Sequence, residues 1–285
     1  CDRCRPAPEI SVNLTRGVAV GAGVGQHYVT GLVEGKIALV TGGGAGIGEA
    51  AALALAREGA KVVLCDVDAE GGIDTVRQIE AAGGEALFVE ADVSRASDVE
   101  ALITSAVDRF GTLDCAVNNA GIQGDVDTTD QCSAENWNRI IAINLTGVWL
   151  CMKYEIQQMK RQGGGAIVNI GSNFGLVGSP GMPAYSAAKH GVLGLTKTAA
   201  LENATADVRV NAVCPGPVQT PLVDEMLCSQ PDAAAEIMES ITSRLPLGRI
   251  GRPEEIGGAI VWLCSDQASF TTGMAMPVDG GFTTQ

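Results

Sequence analysis

Histidine is nearly absent from this sequence. The 285 residues hold two, His27 and His190. A metal centre built on several imidazoles is thereby excluded, and a Ser–His–Asp relay has little to be made from. Positive charge is also scarce, with 19 Lys and Arg against 33 Asp and Glu and a formal net charge of −14. Phosphate backbones and anionic lipid both require a basic surface, which argues against nucleic acid and membrane partners. The acidity reads as a solubility device. Although 46% of the residues are hydrophobic, no unbroken apolar run approaches the roughly 18 residues of a membrane span. Disulfide logic is missing as well: the nine cysteines are odd in number. Seven of them, Cys65, Cys115, Cys132, Cys151, Cys214, Cys228 and Cys264, stand singly in apolar segments, as free thiols do in a reducing compartment. Cys1 and Cys4 form a lone C-x-x-C with no second pair, so no metal site is expected.

What is present is regular from Lys36 onward. Short apolar runs at 36–40, 61–66, 85–92, 113–121, 165–172, 208–216 and 274–281 read as strands. Helical patterns fall between them at 47–58, 72–82, 97–110, 133–162 and 183–203. A further helix opens at Pro253-Glu254-Glu255, with proline near its first position and acids in its first turn. Alternating strands and helices imply a parallel sheet, and strands that are apolar throughout imply burial on both sides. The expected fold is therefore α/β: a single doubly wound, Rossmann-type parallel sheet of about seven strands with helices on both faces. The domain is drawn at 34–285. Residues 1–33 are set apart as a flexible or accessory extension, since their apolar stretch is too short and wrongly flanked for a secretory signal.

In such sheets ligands bind beyond the carboxyl ends of the strands, so the loops there are the places to look. After the first strand comes TGGGAGIG (41–48). Its glycines at Gly42, Gly46 and Gly48 let the backbone turn tightly and approach a pyrophosphate, with a helix N-terminus behind. The alternative is a glycine turn without ligand. The similar GAGVG at 21–25 has no helical pattern after it and is set aside. After the second strand, Asp66 is placed to accept from adenosine ribose hydroxyls and would repel a 2′-phosphate. No Lys or Arg in the glycine loop offsets that repulsion, so NAD is favoured over NADP. A solvated strand-end carboxylate is the alternative. After the third strand, Asp92 either meets the adenine amino group or caps the next helix. After the fourth, Asn118 and Asn119 in NNAG need partners: neighbouring strands, a cofactor, or both. Ser172 follows the fifth strand and PGPVQT (215–220) the sixth.

Three tyrosines occur in the chain, and one of them, Tyr185, precedes Lys189 by one helical turn in AYSAAKHG (184–191). Side chains at i and i+4 share a helix face. A free phenol has a pKa of about 10 and is a poor base near neutrality. A neighbouring cation favours the phenolate, so Lys189 is expected to lower the Tyr185 pKa toward working pH. The small residues around the pair leave room for reactants.

TGGGAGIG, NNAG, Asn144, Ser172, YSAAK and the Pro-Gly after the sixth strand, in that order and spacing, resemble the short-chain dehydrogenase/reductase family over roughly residues 34 to 285. The resemblance implies a catalytic set of Asn144, Ser172, Tyr185 and Lys189. Tyr185 would be the general acid/base, and Lys189 would also hold the nicotinamide ribose. Ser172 would bond the substrate oxygen, and Asn144 would hold a water leading to Lys189, unless it merely kinks its helix. The implied cofactor positions are Gly42, Gly46, Ile47, Gly48, Asp66, Asp92, Val93, Asn119, Ala120, Gly121, Tyr185, Lys189, Pro215, Gly216, Val218 and Thr220. Homo-oligomers, tetramers or dimers, are also implied, with the helices at 133–162 and 183–203 as surfaces.

The expected activity is NAD-dependent interconversion of a secondary alcohol and a ketone. Substrate contacts are assigned to Ser172, Phe174, Met182, Tyr185, Leu222 and Met226, with Gln123, Leu176 and Pro217 as further walls. Most are apolar and none is basic, which suits a neutral cyclic, diol or steroid-like molecule. Alternatively these residues only close the core beneath a loop at 217–245. Two rival functions stand beside this one: an NADPH-dependent 3-oxoacyl-thioester reductase, and a nucleotide-binding regulatory protein without catalysis. The free-thiol pattern and the lack of a secretory signal place the protein in the cytoplasm.

Overall fold

Strand β1 (Ile37–Thr41) is buried along its whole length, which a strand tolerates only with layers on both faces. The computed structural model of the chain describes residues 31–221, 223, 228 and 234–284. Six more strands flank β1: β2 (Lys61–Asp66), β3 (Ala86–Glu90), β4 (Cys115–Asn118), β5 (Gly165–Ile170), β6 (Val208–Pro215) and β7 (Ala275–Val278). All pair in parallel, in the order β3-β2-β1-β4-β5-β6-β7. The doubly wound sheet of seven strands is the one expected from the sequence. The order reverses between β1 and β4, and that switch point opens a crevice at the strands' carboxyl ends.

Strand periodicity sorts the core into two layers. Ala38, Val40, Val62, Leu64, Cys115, Val117, Val168 and Ile170 face one side, with Ala51 and Leu55 of α1 (Gly46–Arg57), Ile79 of α2 (Ala69–Ala81) and Ile256 and Ile260 of the C-terminal helix Pro253–Cys264. Their neighbours Leu39, Val63, Ala116 and Ile167 face the other. There they meet Val99 and Leu102 of α3 (Ala96–Phe110), Cys151 and Met159 of α5 (Val148–Gln162) and Val192 of α6 (Pro183–Asn203). Between α3 and α5 stands α4 (Ala134–Ile141). Two further helices are described, α7 (Ala234–Thr242) and the Pro253–Cys264 helix, α8.

Three sequence expectations need correction. The helical pattern at 133–162 is not one α-helix: Ala142–Gly147 form a π turn between α4 and α5. The stretch 217–245, read as a loop, contains α7. The domain starts before residue 34, because Val33 is fully buried against the first core layer and its N–H donates to the Glu58 carbonyl at 3.2 Å. Residues 1–30, which include Cys1, Cys4, His27 and Tyr28, lie outside the described residues, as do Leu222 and Met226.

A polar chain runs through the second layer. Asn118 Nδ2 donates to Glu155 Oε2 and to Asn169 Oδ1, each at 3.0 Å. Asn169 Nδ2 passes the chain to Thr196 Oγ1 at 2.9 Å, and Thr196 donates to the Val192 carbonyl at 2.8 Å. This ties β4, β5, α5 and α6 at one level. Glu155 is wholly buried with no cation paired to it among the described residues, and burial raises its pKa to about 8. It is thus a neutral acid at pH 7. Below about 4.5 it is protonated folded and unfolded alike and costs nothing. Between about 4.5 and about 8 only the unfolded chain ionises, so stability falls as pH rises,. Glu155→Gln should therefore gain stability over the parent progressively across that window, measured by chemical denaturation from pH 4.5 to 8. Parallel curves for the two proteins would contradict the neutral buried acid.

Candidate active site

The crevice is lined first by the glycine loop after β1. Gly42 and Gly46 have positive φ, 64° and 58°, the region glycine enters without strain. Close approach makes the stronger demand. A Cβ on Gly48 would lie 1.8 Å from the Gly42 carbonyl oxygen, and one on Gly42 would lie 2.8 Å from the Ala120 Cα. The loop after β4 locks onto this turn. Asn119 Nδ2 donates to the carbonyls of Thr41 and Gly42 at 3.0 and 2.9 Å. Thr41, buried, accepts on its hydroxyl from the N–H groups of Asn119 and Ala120 at 3.0 and 3.1 Å. Of the two asparagines, Asn118 ties strands and Asn119 holds the glycine loop. The sequence named Asn119 but missed Thr41, although a threonine ahead of a glycine turn at a strand end was visible in TGGG.

Around this cradle the expected residues gather. Asp66 Oδ2 accepts from the Gly44 N–H at 2.9 Å and Oδ1 from the Asp68 N–H at 3.0 Å. Its carboxylate is therefore oriented at the loop, and no ion pair involves it among the described residues. Asp92 makes the turn before α3: Oδ1 accepts from the Ser94 N–H and hydroxyl at 2.9 and 2.7 Å. These hydrogen bonds, the hydroxyl's foremost, hold its carboxyl below the usual range. Val93 is buried against Gly147 of the π turn. Beyond β6, Gly216 lies so near Asp279 that a Cβ would meet its Cα at 2.8 Å. The chain then crosses back, Val218 bridging Gly251 and Thr220 reaching within 3.3 Å of the Cβ position of Gly46. The cradle is thus closed by both ends of the crevice.

The reacting groups sit at the ends of β5 and α6. Lys189 is buried, and its Nζ donates to the Ile170 carbonyl at 2.8 Å. The same ammonium lies 5.6 Å from the centre of the Tyr185 ring. Burial lowers the Lys189 pKa to about 8. Burial likewise raises the Tyr185 pKa, and the Ser172 hydroxyl beside the phenol partly offsets it. This corrects the sequence expectation of a lowered value: burial outweighs the Ser172 hydroxyl, and the phenol stays above its ordinary range. The phenol is a neutral proton donor at pH 7. Ser172 Oγ, buried, accepts from the Phe174 N–H at 3.1 Å.

Asn144 sits in the π turn, and its carboxamide clamps Ile122: Oδ1 accepts from the N–H at 2.9 Å and Nδ2 donates to the carbonyl at 2.7 Å. Helix kink and clamp are one feature here, a role the sequence reading did not name. Phe174 stacks edge-on to Phe282 with centroids 6.1 Å apart, and Met182 caps α6. Phe282 was missed, since its position past β7 gives no local signal. Leu176 packs against the cluster of Leu193, Ala212 and Cys214. Among the described residues no three His, Cys, Asp or Glu side chains gather around a metal-sized space, and no helix is long and apolar enough to cross a membrane.

Known proteins align with this arrangement. A family model described as enoyl-(acyl carrier protein) reductase matches residues 42–283. Cyclohexanol dehydrogenase of Acinetobacter sp. (strain SE19) is 44% identical over 261 residues, 91% of this chain and 100% of that protein. Cis-4-hydroxycyclohexanecarboxylate dehydrogenase of Sinomonas cyclohexanicum is 44% identical over 248 residues, 87% of this chain and 96% of that protein. A crystal structure of levodione reductase matches with a TM-score of 0.84 at 37% identity, over 87% of this chain and 97% of its own.

The buried ammonium has a measurable cost. Its pKa falls from 10.5 to about 8, equivalent to about 3 kcal/mol of destabilisation below pH 8. Between about 8 and 10.5 the folded amine is already neutral while the unfolded one is still charged, so the cost fades as pH rises. Lys189→Met should therefore raise the unfolding temperature at pH 7 by several degrees and lose that gain toward pH 10.5, while turnover collapses. Thermal unfolding across this pH range is the check.

Proposed function

The chain belongs to the short-chain dehydrogenase/reductase family, and on that premise we propose that it interconverts a secondary alcohol and a ketone with NAD, on a neutral cyclic substrate. The observation that supports this most is the placement of Tyr185, Ser172 and Lys189 at the strand ends beside the glycine cradle. A nicotinamide cofactor supplies the hydride chemistry in such a site and, oxidised, a positive charge near the phenol. Tyr185 gives a proton to the substrate oxygen in ketone reduction and takes it back in alcohol oxidation. As a neutral phenol it is ready for the first role. Lys189 keeps the phenol's surroundings positive while it is protonated, and Ser172 holds the reacting oxygen. Thr41 and Asn119 keep the cradle shut against the strand ends.

NAD rather than NADP rests on Asp66, whose carboxylate is aimed at the glycine loop with oxygen lone pairs left for ribose hydroxyls. The cyclic substrate rests on the apolar walls at Phe174 and Met182, and on relatives named for cyclohexanol and hydroxycyclohexanecarboxylate. Asn144 keeps its proposed place in the proton path. Homo-oligomer formation is supported by exposed Trp149 on α5 and Leu201 on α6, the helices expected at the subunit contact. A cytoplasmic site suits the seven described cysteines, all of them free.

Purified protein mixed with NAD or NADP and a panel of secondary alcohols should reduce NAD on cyclic alcohols, followed by absorbance of the reduced nicotinamide. Tyr185→Phe should lower kcat roughly 100-fold or more. Turnover confined to NADPH and 3-oxoacyl thioesters would instead favour a thioester reductase. Asp66→Ala should narrow the preference for NAD over NADP in the same assay. An unchanged ratio of kcat/KM values would remove Asp66 from the specificity argument.

A further inference from the structure

Asn173 follows Ser172 and opens the 3₁₀ turn Asn173–Gly175. It is 3% exposed. Its Oδ1 accepts the Ser172 hydroxyl at 3.1 Å, while its Nδ2, also buried, has no partner among the described residues. A buried donor left idle beside a reacting hydroxyl calls for a reason. As arranged, the single proton of Ser172 is spent on Asn173, and Ser172 can only accept from other groups. A serine in that state cannot donate to a substrate carbonyl.

The two ends of a carboxamide have nearly the same shape. Turning the Asn173 amide end for end puts Nδ2 at the Ser172 hydroxyl. Ser172 Oγ then receives two N–H donors, from Asn173 and from Phe174, and its own proton must point elsewhere. The Tyr185 phenol lies beside that hydroxyl and already feels it. Each orientation leaves one amide atom without a partner, Nδ2 in one and Oδ1 in the other. Hydrogen-bond counting therefore favours neither, and a substrate oxygen that needs a donor can decide between them.

We infer that Asn173 is a positioning residue whose amide sets the direction in which Ser172 donates its proton, and so whether Ser172 can hydrogen-bond the substrate oxygen. The inference deepens the alcohol–ketone reading and rests on it for its kinetic consequence. No covalent step is added: the amide exchanges one hydrogen bond for another.

The test compares Asn173→Asp with Asn173→Ala, each alone and combined with Ser172→Ala. Aspartate keeps the shape but, ionised, only accepts, so it holds the serine proton. Alanine imposes no direction. The first readout needs no turnover: the rise of Tyr185 phenolate absorbance with pH, isolated by subtracting a Tyr185→Phe control. Asn173→Asp should move that rise to higher pH when Ser172 is present. The move should be clearly smaller when Ser172 is alanine, where only the direct field of the carboxylate remains. The second readout is kinetic. Asn173→Asp should lower kcat roughly 100-fold with little change in KM, as loss of one donor to a reacting oxygen does. It should recover as the introduced carboxyl is protonated at lower pH. Asn173→Ala should cost less, the reverse of the order that packing alone gives. Equal phenolate shifts with and without Ser172 would overturn the inference. So would alanine proving worse than aspartate in folded proteins of matched unfolding temperature. If the unmutated protein turns over no cyclic alcohol, the reaction proposal fails, and the phenolate titration still judges Asn173.

Discussion

The approach of the end of β1 to the end of β4 is the constraint from which the site follows. Two loops from strands that do not adjoin in sequence come within van der Waals distance of each other's backbone. Thr41 and Asn119 bind them by four hydrogen bonds. Gly42 and Gly48 are glycines because no Cβ fits between them. The cradle is therefore made mostly of main chain. Main-chain donors do not rotate or titrate, which suits a site that must hold a charged ligand without depending on any one side chain.

Around that rigid frame the protein buries two ionisable groups without pairing either. Lys189 rests on a carbonyl, and Glu155 rests on an asparagine amide. Their pKa values move in opposite directions toward the same region, both to about 8. The two sit on facing helices, joined through Asn118, Asn169 and Thr196 and through Ile170, the residue next to Asn169. The site's electrostatics thus reach into the sheet by ordinary hydrogen bonds. The large apolar core carries the resulting cost, with each fully buried leucine such as Leu39, Leu55 or Leu64 contributing about 2 kcal/mol,.

Most of the fold was legible in the sequence because the strands are apolar runs and four of the helices have a glycine at their C-cap or one residue past it, Gly59, Gly83, Gly111 and Gly163. Helix α6 was bounded correctly at Pro183 and Asn203, with Pro183 at its first turn and the Tyr185–Lys189 spacing inside it. What stayed hidden has a common cause. The π turn at Asn144 is a one-residue change in hydrogen-bond pattern that leaves side-chain periodicity almost intact. Phe282, Thr41 and the Glu155 chain matter through partners far away in sequence, which local patterns do not encode. The pKa of Tyr185 was misjudged because spacing gives proximity to Lys189 but not desolvation. Asn119 was legible as a residue in need of partners, though not which partners it would find.

Asp279 bonds the N–H of Gly281 and the N–H and hydroxyl of Thr283, and this knot holds Phe282 against Phe174. The groups that shape the site therefore range from Thr41 near the start of the sheet to Phe282 beyond its last strand. No single stretch of chain can thus build the chamber: α1, which follows the glycine loop, packs in the same core layer as Ile256 and Ile260 of α8, and the far wall waits on Phe282. A truncation just after β6 would keep every glycine of the cradle and still remove the groups that hold its helix and close its far side.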